Sequence, residues 1–174
     1  MSRKKRIHKS LVKPDPIYNN LLIAKFVNIL MLDGKKSIVL NAFYAAIERM
    51  KTSKSLQNIE ALKDVQNPVQ IFEYIVKMSQ PSVEVRSRRI GGANYQIPMV
   101  IEGSSRSVSL SLRWLVLAIR SKKNADIAQK VYSVFEDNIN NRGEAIKKKQ
   151  QIESVAEANR AYAHFAIKRK TTSH

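Results

Sequence analysis

The sequence predicts a mainly α-helical protein: a six-helix domain with a protruding two-stranded β-ribbon between helices three and four. Three observations carry this. Apolar residues recur at spacings of three and four along most of the chain, the period of a helix with one buried face. One stretch, Val83 to Ile101, breaks that rule and alternates with a period of two. Of the 174 residues, none is cysteine. No repeat or Gly/Pro-rich linker divides the sequence, so a core of packed apolar faces has to hold it together.

Taken in order, residues 1–18 form a basic arm, with Arg3, Lys4, Lys5, Arg6, Lys9 and Lys13 before the first carboxylate, Asp15. An isolated arm of this composition does not fold alone, and Pro14 and Pro16 keep its end extended. Residues 19–170 then form a single helical domain, and 171–174 a short tail. A first helix is expected from about Asn19 to Leu32, with Leu22, Phe26, Ile29 and Leu30 on one face and Gly34 as its C-terminal cap. A second runs to about Met50 on the stripe Val39, Phe43, Ala46, Met50. Residues 51–66 are polar and could hold a short helix. Asn67 caps a third helix with Pro68 at its first position, and Val69, Phe72, Ile75 and Val76 face inward. Pro81 stops it.

The ribbon follows at 83–101. Val83 and Val85 alternate with Glu84 and Arg86. Tyr95, Ile97, Met99 and Ile101 alternate with Gln96 and Pro98 on the return. Gly91 and Gly92 sit at the reversal, where positive φ costs glycine little, in a connection read as Gly91 to Asn94. Pro98 suits an edge strand. A fourth helix is expected from about Arg106 to Ser121. Its two stripes, Val108–Leu112–Leu115–Ile119 and Leu110–Trp114–Leu117, predict a buried central helix with Trp114 in the core, while Arg113 and Arg120 leave that core and could reach a partner. Asn124 is expected to cap a fifth helix whose Ile127, Val131, Val134 and Phe135 face inward. A last helix starts near Glu144 and could reach Lys168. Its alanine-rich second half predicts close approach to another backbone.

Charge sets the function class. Lys plus Arg number 31 against 14 Asp plus Glu, a net charge of +17. Such an excess attracts polyanions, nucleic acid first and anionic membrane second. The sequence has no apolar run long enough to span a bilayer, no thiolate chemistry, and no metal-ligand pattern among His8, His164 and His174. It shows no nucleophile–base pair and no glycine-rich phosphate loop leading into a helix. The reading is a binding protein, not an enzyme, with no cofactor, no small-molecule substrate and no membrane.

Within the ribbon, Arg86, Arg88 and Arg89 lie beside Tyr95 and Gln96. Guanidinium, aromatic ring and amide together suit a phosphate backbone with exposed bases; the alternative is a charged edge strand that resists aggregation. All three guanidiniums are expected to point away from the body. Lys35 and Lys36 form a basic corner, either a solvated turn or a phosphate contact. Lys147, Lys148 and Lys149 fan around the start of the last helix and cannot all pair within it.

Four ordered segments, LLIAKFVNILMLDGKKS, PSVEVRSRRIGGANYQIP, LSLRWLVLAIR and AIKKKQQIESVAEANRAYAHF, resemble small-subunit ribosomal protein seven of the bacterial and organellar type. The resemblance spans nearly the whole chain. It implies a six-helix domain with the ribbon in this place, and a structural constituent of the small subunit. That constituent binds rRNA of the 3′ major domain and nucleates head assembly. It lies near the exit-site tRNA and the mRNA path, with other head and platform proteins as neighbours. The positions matching the family's RNA contacts are the arm from Arg3 to Lys13, Lys35, Lys36, Arg86, Arg88, Arg89, Arg113, Arg142, Lys147 to Lys149, Asn159 and Arg160.

Three departures favour an organellar ribosome, mitochondrial before plastid and ahead of the bacterial cytoplasm. Residues 51–66 are longer than usual, paired basic residues are missing before the fourth helix, and the chain ends in AIKRKTTSH. Abundant Lys, Asn and Ile fit an AT-rich genome, and the initial Met1 fits synthesis without import. The rival class is a winged-helix DNA-binding regulator. That needs a polar recognition helix for the major groove, and the helix after the hairpin is apolar on two sides.

Overall fold

The structure is a computed structural model that describes residues 12–53, 56, 67–123 and 125–166. Its order is α1 (Leu21–Leu30), α2 (Lys36–Lys51), α3 (Pro68–Met78), β1 (Val83–Ile90), β2 (Ala93–Val100), α4 (Ser104–Ser121), α5 (Ile127–Ile139) and α6 (Glu144–Ala158), then a 3₁₀ helix at Arg160–Phe165. The expected α-helices and ribbon are in place. Leu56 of the possible helix within 51–66 is helical and buried; the rest of that helix, the arm's first five cations and the Asn124 cap lie outside the described residues.

Four phenylalanines close the core. Phe26 of α1, Phe43 of α2, Phe72 of α3 and Phe135 of α5 touch one another in every pairing, with ring centroids 5.1–6.3 Å apart. Tilted and edge-on contacts of this kind add to the area each ring buries. Around them pack Ile23, Ile47, Met50, Ile71, Ile75, Leu112 and Leu115, all fully buried. Helix α4 runs against α1, α3, α5 and α6, and Trp114 is buried as expected.

Local chemistry sets the helix ends. Asn20 Oδ1 accepts from the backbone N–H groups of Leu22 and Ile23, and Asn67 Oδ1 from that of Val69, so one orphan donor or more is satisfied at each start. Asp126 Oδ2 does the same for Ala128, giving α5 an aspartate cap two residues beyond the expected asparagine.

Several boundaries differ from expectation. Helix α1 ends at Leu30 with Met31 as its cap; Gly34 belongs instead to the following turn, with Asp33 at φ 51° and Gly34 at φ 72°. Helix α4 starts two residues early, after Gly103 at φ 85°. The last helix stops at Ala158, where the Asn159 side chain turns back to donate to the Val155 carbonyl at 2.8 Å. Leu117, expected in the core, is 61% exposed: Trp114 and Ala118 already fill the inward arc, so the second stripe is only partly covered.

Buried polar groups weld α3, α5 and α6. Asn138 is fully buried; it accepts from Ser79 Oγ at 3.3 Å and donates to the Val134 carbonyl at 2.8 Å. Gly143, the N-cap of α6, lies against it so closely that a Cβ there would sit 2.6 Å from Asn138 Oδ1.

Candidate nucleic-acid interface

The ribbon is antiparallel, with Ile90 opposite Ala93 and Val83 opposite Val100. Its reversal is therefore the two residues Gly91 and Gly92, tighter than expected. Their φ values of 57° and 93° are those a two-residue hairpin turn demands and glycine supplies. Because successive strand residues point to opposite faces, Arg88 and Arg89 cannot share one. Glu84, Arg86 and Arg88 lie on the face of Tyr95, Ile97 and Met99; Ser87 and Arg89 lie on the face of Asn94 and Gln96. On the first face Ile97 is fully buried, and Arg86 and Arg88 are half-buried. On the second, Ser87, Arg89, Asn94 and Gln96 are all exposed. The expectation that three arginines point away from the body is thus corrected to one, Arg89.

Two of the ribbon's expected contact residues have internal work. Arg86 pairs with Glu84, which also accepts from Arg106 Nε of α4 at 2.9 Å. Tyr95, expected as a stacking platform, rests on Tyr162 (4.9 Å between centroids) and Phe165 (6.4 Å) of the 3₁₀ helix. The close backbone approach expected of the alanine-rich segment is limited to Ala156, which is buried; Ala158, Ala161 and Ala163 are exposed, and rings make the contact instead. Beside these rings, Ala156 and Ala163 line an open groove with Val83, Pro98 and Met99.

At the far end of α4 the helix ends gather. Arg120 reaches the last carbonyls of α1, and Ser121 Oγ donates to Glu144 at the start of α6 at 3.2 Å. The C-termini of α1 and α4 and the N-termini of α2 and α6 therefore meet, with Lys35, Lys36, Arg142, Lys147 and Lys148 exposed there. Lys148 holds only Gln151, at 3.2 Å; the other four make no side-chain hydrogen bond or ion pair among the described residues. An 18-residue α4 spans about 27 Å, so this cationic end and the ribbon base stand at opposite ends of the body.

The other expected contact residues divide. Arg113 and Lys13 are exposed and unpaired among the described residues. Arg160 is exposed and pairs loosely with Glu157 at 3.4 Å. Lys149 is half-buried and donates to the Met78 carbonyl at 3.1 Å, closing the end of α3. Asn159 caps its own helix. Lys122, read as part of a basic exit loop, is held by Asp137 at 2.7 Å and Ser133 at 2.8 Å. The reason is common to these cations: a helix C-terminus or a carboxylate nearby competes for the charge.

Asp15 is a structural residue that its sequence position does not announce. It is buried, takes the N–H groups of Ile17 and Tyr18, and accepts from the Tyr44 hydroxyl at 2.8 Å. The end of the basic arm is thereby pinned to α2. The one signal in the sequence is a lone carboxylate after six cations. Burial, then the hydrogen bond to Asp15, push the Tyr44 hydroxyl well above the usual tyrosine range; burial and then Glu48 raise Tyr18. For Tyr44 the folded value exceeds the unfolded one, so its stabilising share is complete below pH ~10 and fades as pH climbs through the folded value.

No helix among the described residues is long and apolar enough to cross a membrane, and no group of side chains there could hold a metal ion. The body is thus basic and helical, with exposed cations at one end and an arginine-bearing ribbon at the other. A family model described as Ribosomal protein S7p/S5e matches residues 2–160. Proteins called small ribosomal subunit protein uS7 are similar along their length. That of Petrotoga mobilis is 42% identical over 163 residues, covering 94% of this chain and 98% of its own. That of Thermosipho africanus is 44% identical with the same coverage, and that of Pelagibacter ubique 39% over 165 residues, 95% and 99%. The chain belongs to the ribosomal protein S7p/S5e family, a structural and non-enzymatic component of the ribosome. These relatives are bacterial, so the preference for a mitochondrial or other organellar source has no support from them.

Proposed function

We propose that the protein is a structural constituent of the small ribosomal subunit that binds rRNA of the 3′ major domain and nucleates assembly of the head. In this reading the cationic end supplies most of the affinity. Lys35, Lys36, Arg142, Lys147 and Lys148, with the basic arm, meet phosphates at spacings fixed by the helices behind them. The ribbon faces the exit-site tRNA and the mRNA path, with Arg89 and Gln96 on its free face. The observation that carries the proposal is the meeting of four helix ends with five exposed cations, none of which forms an ion pair with a carboxylate within the described residues.

Folded RNA presents dense phosphate at irregular spacing. A rigid body with separated basic patches matches such a surface by shape, while counterion release provides a sequence-tolerant attraction. Against the winged-helix rival stands α4, whose Ser111, Leu112, Trp114, Leu115, Val116, Ala118 and Ile119 are buried; between its terminal serines only the strip Arg106, Arg113, Leu117 and Arg120 is open, narrower than a recognition helix needs.

The test is retention. Tagged protein sedimented with ribosomes should stay on the small subunit through a high-salt wash, and an rRNA transcript of the 3′ major domain should compete for it better than duplex DNA or anionic vesicles. Equal competition by duplex DNA would sink the reading.

A further inference from the structure

We propose that Arg120 is a positioning residue: by holding the C-terminal carbonyls of α1 it fixes the turn that presents Lys35 and Lys36 to RNA phosphate. The inference rests on the phosphate-binding reading of that corner and adds the residue through which the corner is held.

Helix α1 ends with no basic residue in its last turn, leaving carbonyls that need donors. Arg120 Nη2, from the last turn of α4, lies 3.0 Å from the Ile29 carbonyl oxygen and 3.5 Å from that of Leu30. A guanidinium there also meets the negative end of the helix dipole. Ala118 and Ile119 beside it are buried, so α4 holds the base of the side chain still.

The turn itself has little of its own to hold it. Leu32 to Lys36 are all exposed. Lys35, at the N-cap of α2, makes no capping side-chain bond. What shapes the turn is backbone: Lys35 N–H to the Leu32 carbonyl at 3.0 Å and Lys36 N–H to that of Gly34 at 2.8 Å, with Asp33 and Gly34 at positive φ. Among the described residues Arg120 is the only side chain from another element that hydrogen-bonds to the backbone of residues 29–36. Arg113, two turns earlier on the same helix, is exposed and has no such partner. The two arginines look alike in the sequence, and only one braces the corner.

A double-mutant cycle on the full chain separates bracing from direct contact. The variants are Arg120→Met, Lys35→Ala with Lys36→Ala, and the three together; the probe is a 3′ major domain rRNA transcript. Arg120→Met should weaken binding about three- to tenfold, the net worth of one hydrogen bond. In the background lacking both lysines it should change Kd by less than about twofold. Arg120→Lys should recover part of the loss. An equal loss in both backgrounds makes Arg120 a phosphate contact and overturns the proposal. Amide exchange gives a second readout without RNA: residues 31–36 should exchange faster in Arg120→Met while α5 amides do not change. If removing the two lysines leaves Kd unaltered, the phosphate reading of the corner fails, and exchange at 31–36 still decides the brace; unaltered exchange there rejects it.

Discussion

At the end of the body where α1, α2, α4 and α6 meet, Lys35, Lys36, Arg142, Lys147 and Lys148 face solvent with almost nothing to hold them. At the other end, the ribbon's Arg86 is locked to Glu84 and its Tyr95 lies on Tyr162 and Phe165. The difference follows from what each end is made of. Helices that pack on one core hold their ends from within, with Arg120 bracing the α1 end, so the cations there can stay free for a partner. Two strands alone are marginal, and a ribbon that leaves the core needs internal clasps. It therefore uses the ion pair from Arg106 of α4 to Glu84 and an aromatic stack to keep its direction, and offers mainly Arg89 and Gln96 outward.

Removing what the two ends share should collapse the contrast, and this is the largest effect expected. Phe72→Ala opens the four-ring core and should cost about 3–5 kcal/mol, read by urea unfolding. RNA binding and amide protection in the ribbon should fall together. Intact protection of either end would mean that the ends do not depend on one core.

Gly143→Ala should cost about 1–3 kcal/mol, because the new Cβ must displace a buried asparagine in a packed site. Here φ is −65°, so the penalty comes from Asn138 and not from backbone strain. The exchange increase should centre on the α5–α6 junction, next to Arg142 and Lys147, before it reaches the ribbon. A neutral result would show that Asn138 can rotate away freely.

A smaller effect belongs to the clasp. Tyr95→Ala and Tyr162→Ala should show a coupling of about 0.5–1.5 kcal/mol in a double-mutant cycle, as aromatic pairs do. Each should speed amide exchange in β1 and β2 and leave α1 and α2 alone. Zero coupling would make the ribbon self-supporting.

The overall layout was legible because it depends on local periodicity. Period-two alternation located the ribbon, and spacings of three and four located the helices and put Trp114 in the core. The division of cations was not legible. Arg120 finds carbonyls 91 and 90 residues away, and Lys149 one 71 away; no local pattern marks such pairs. Tyr95 likewise meets a ring 67 positions later, from a segment that reads as a continuous helix but changes to 3₁₀ at Asn159. The arginine error was avoidable, since alternation alone places Arg88 and Arg89 on opposite faces.

The central claim is that the cationic end supplies affinity while the ribbon supplies direction. The salt dependence of binding to the 3′ major domain transcript tests it most directly. Each phosphate that a variant no longer neutralises lowers the slope of log Kd against log salt by about 0.7–0.9. Replacing Lys35, Lys36, Lys147 and Lys148 by alanine should therefore flatten the slope by about 3, and Arg89→Ala with Gln96→Ala by less than about 1. Equal flattening, or a larger change from the ribbon pair, would contradict the account.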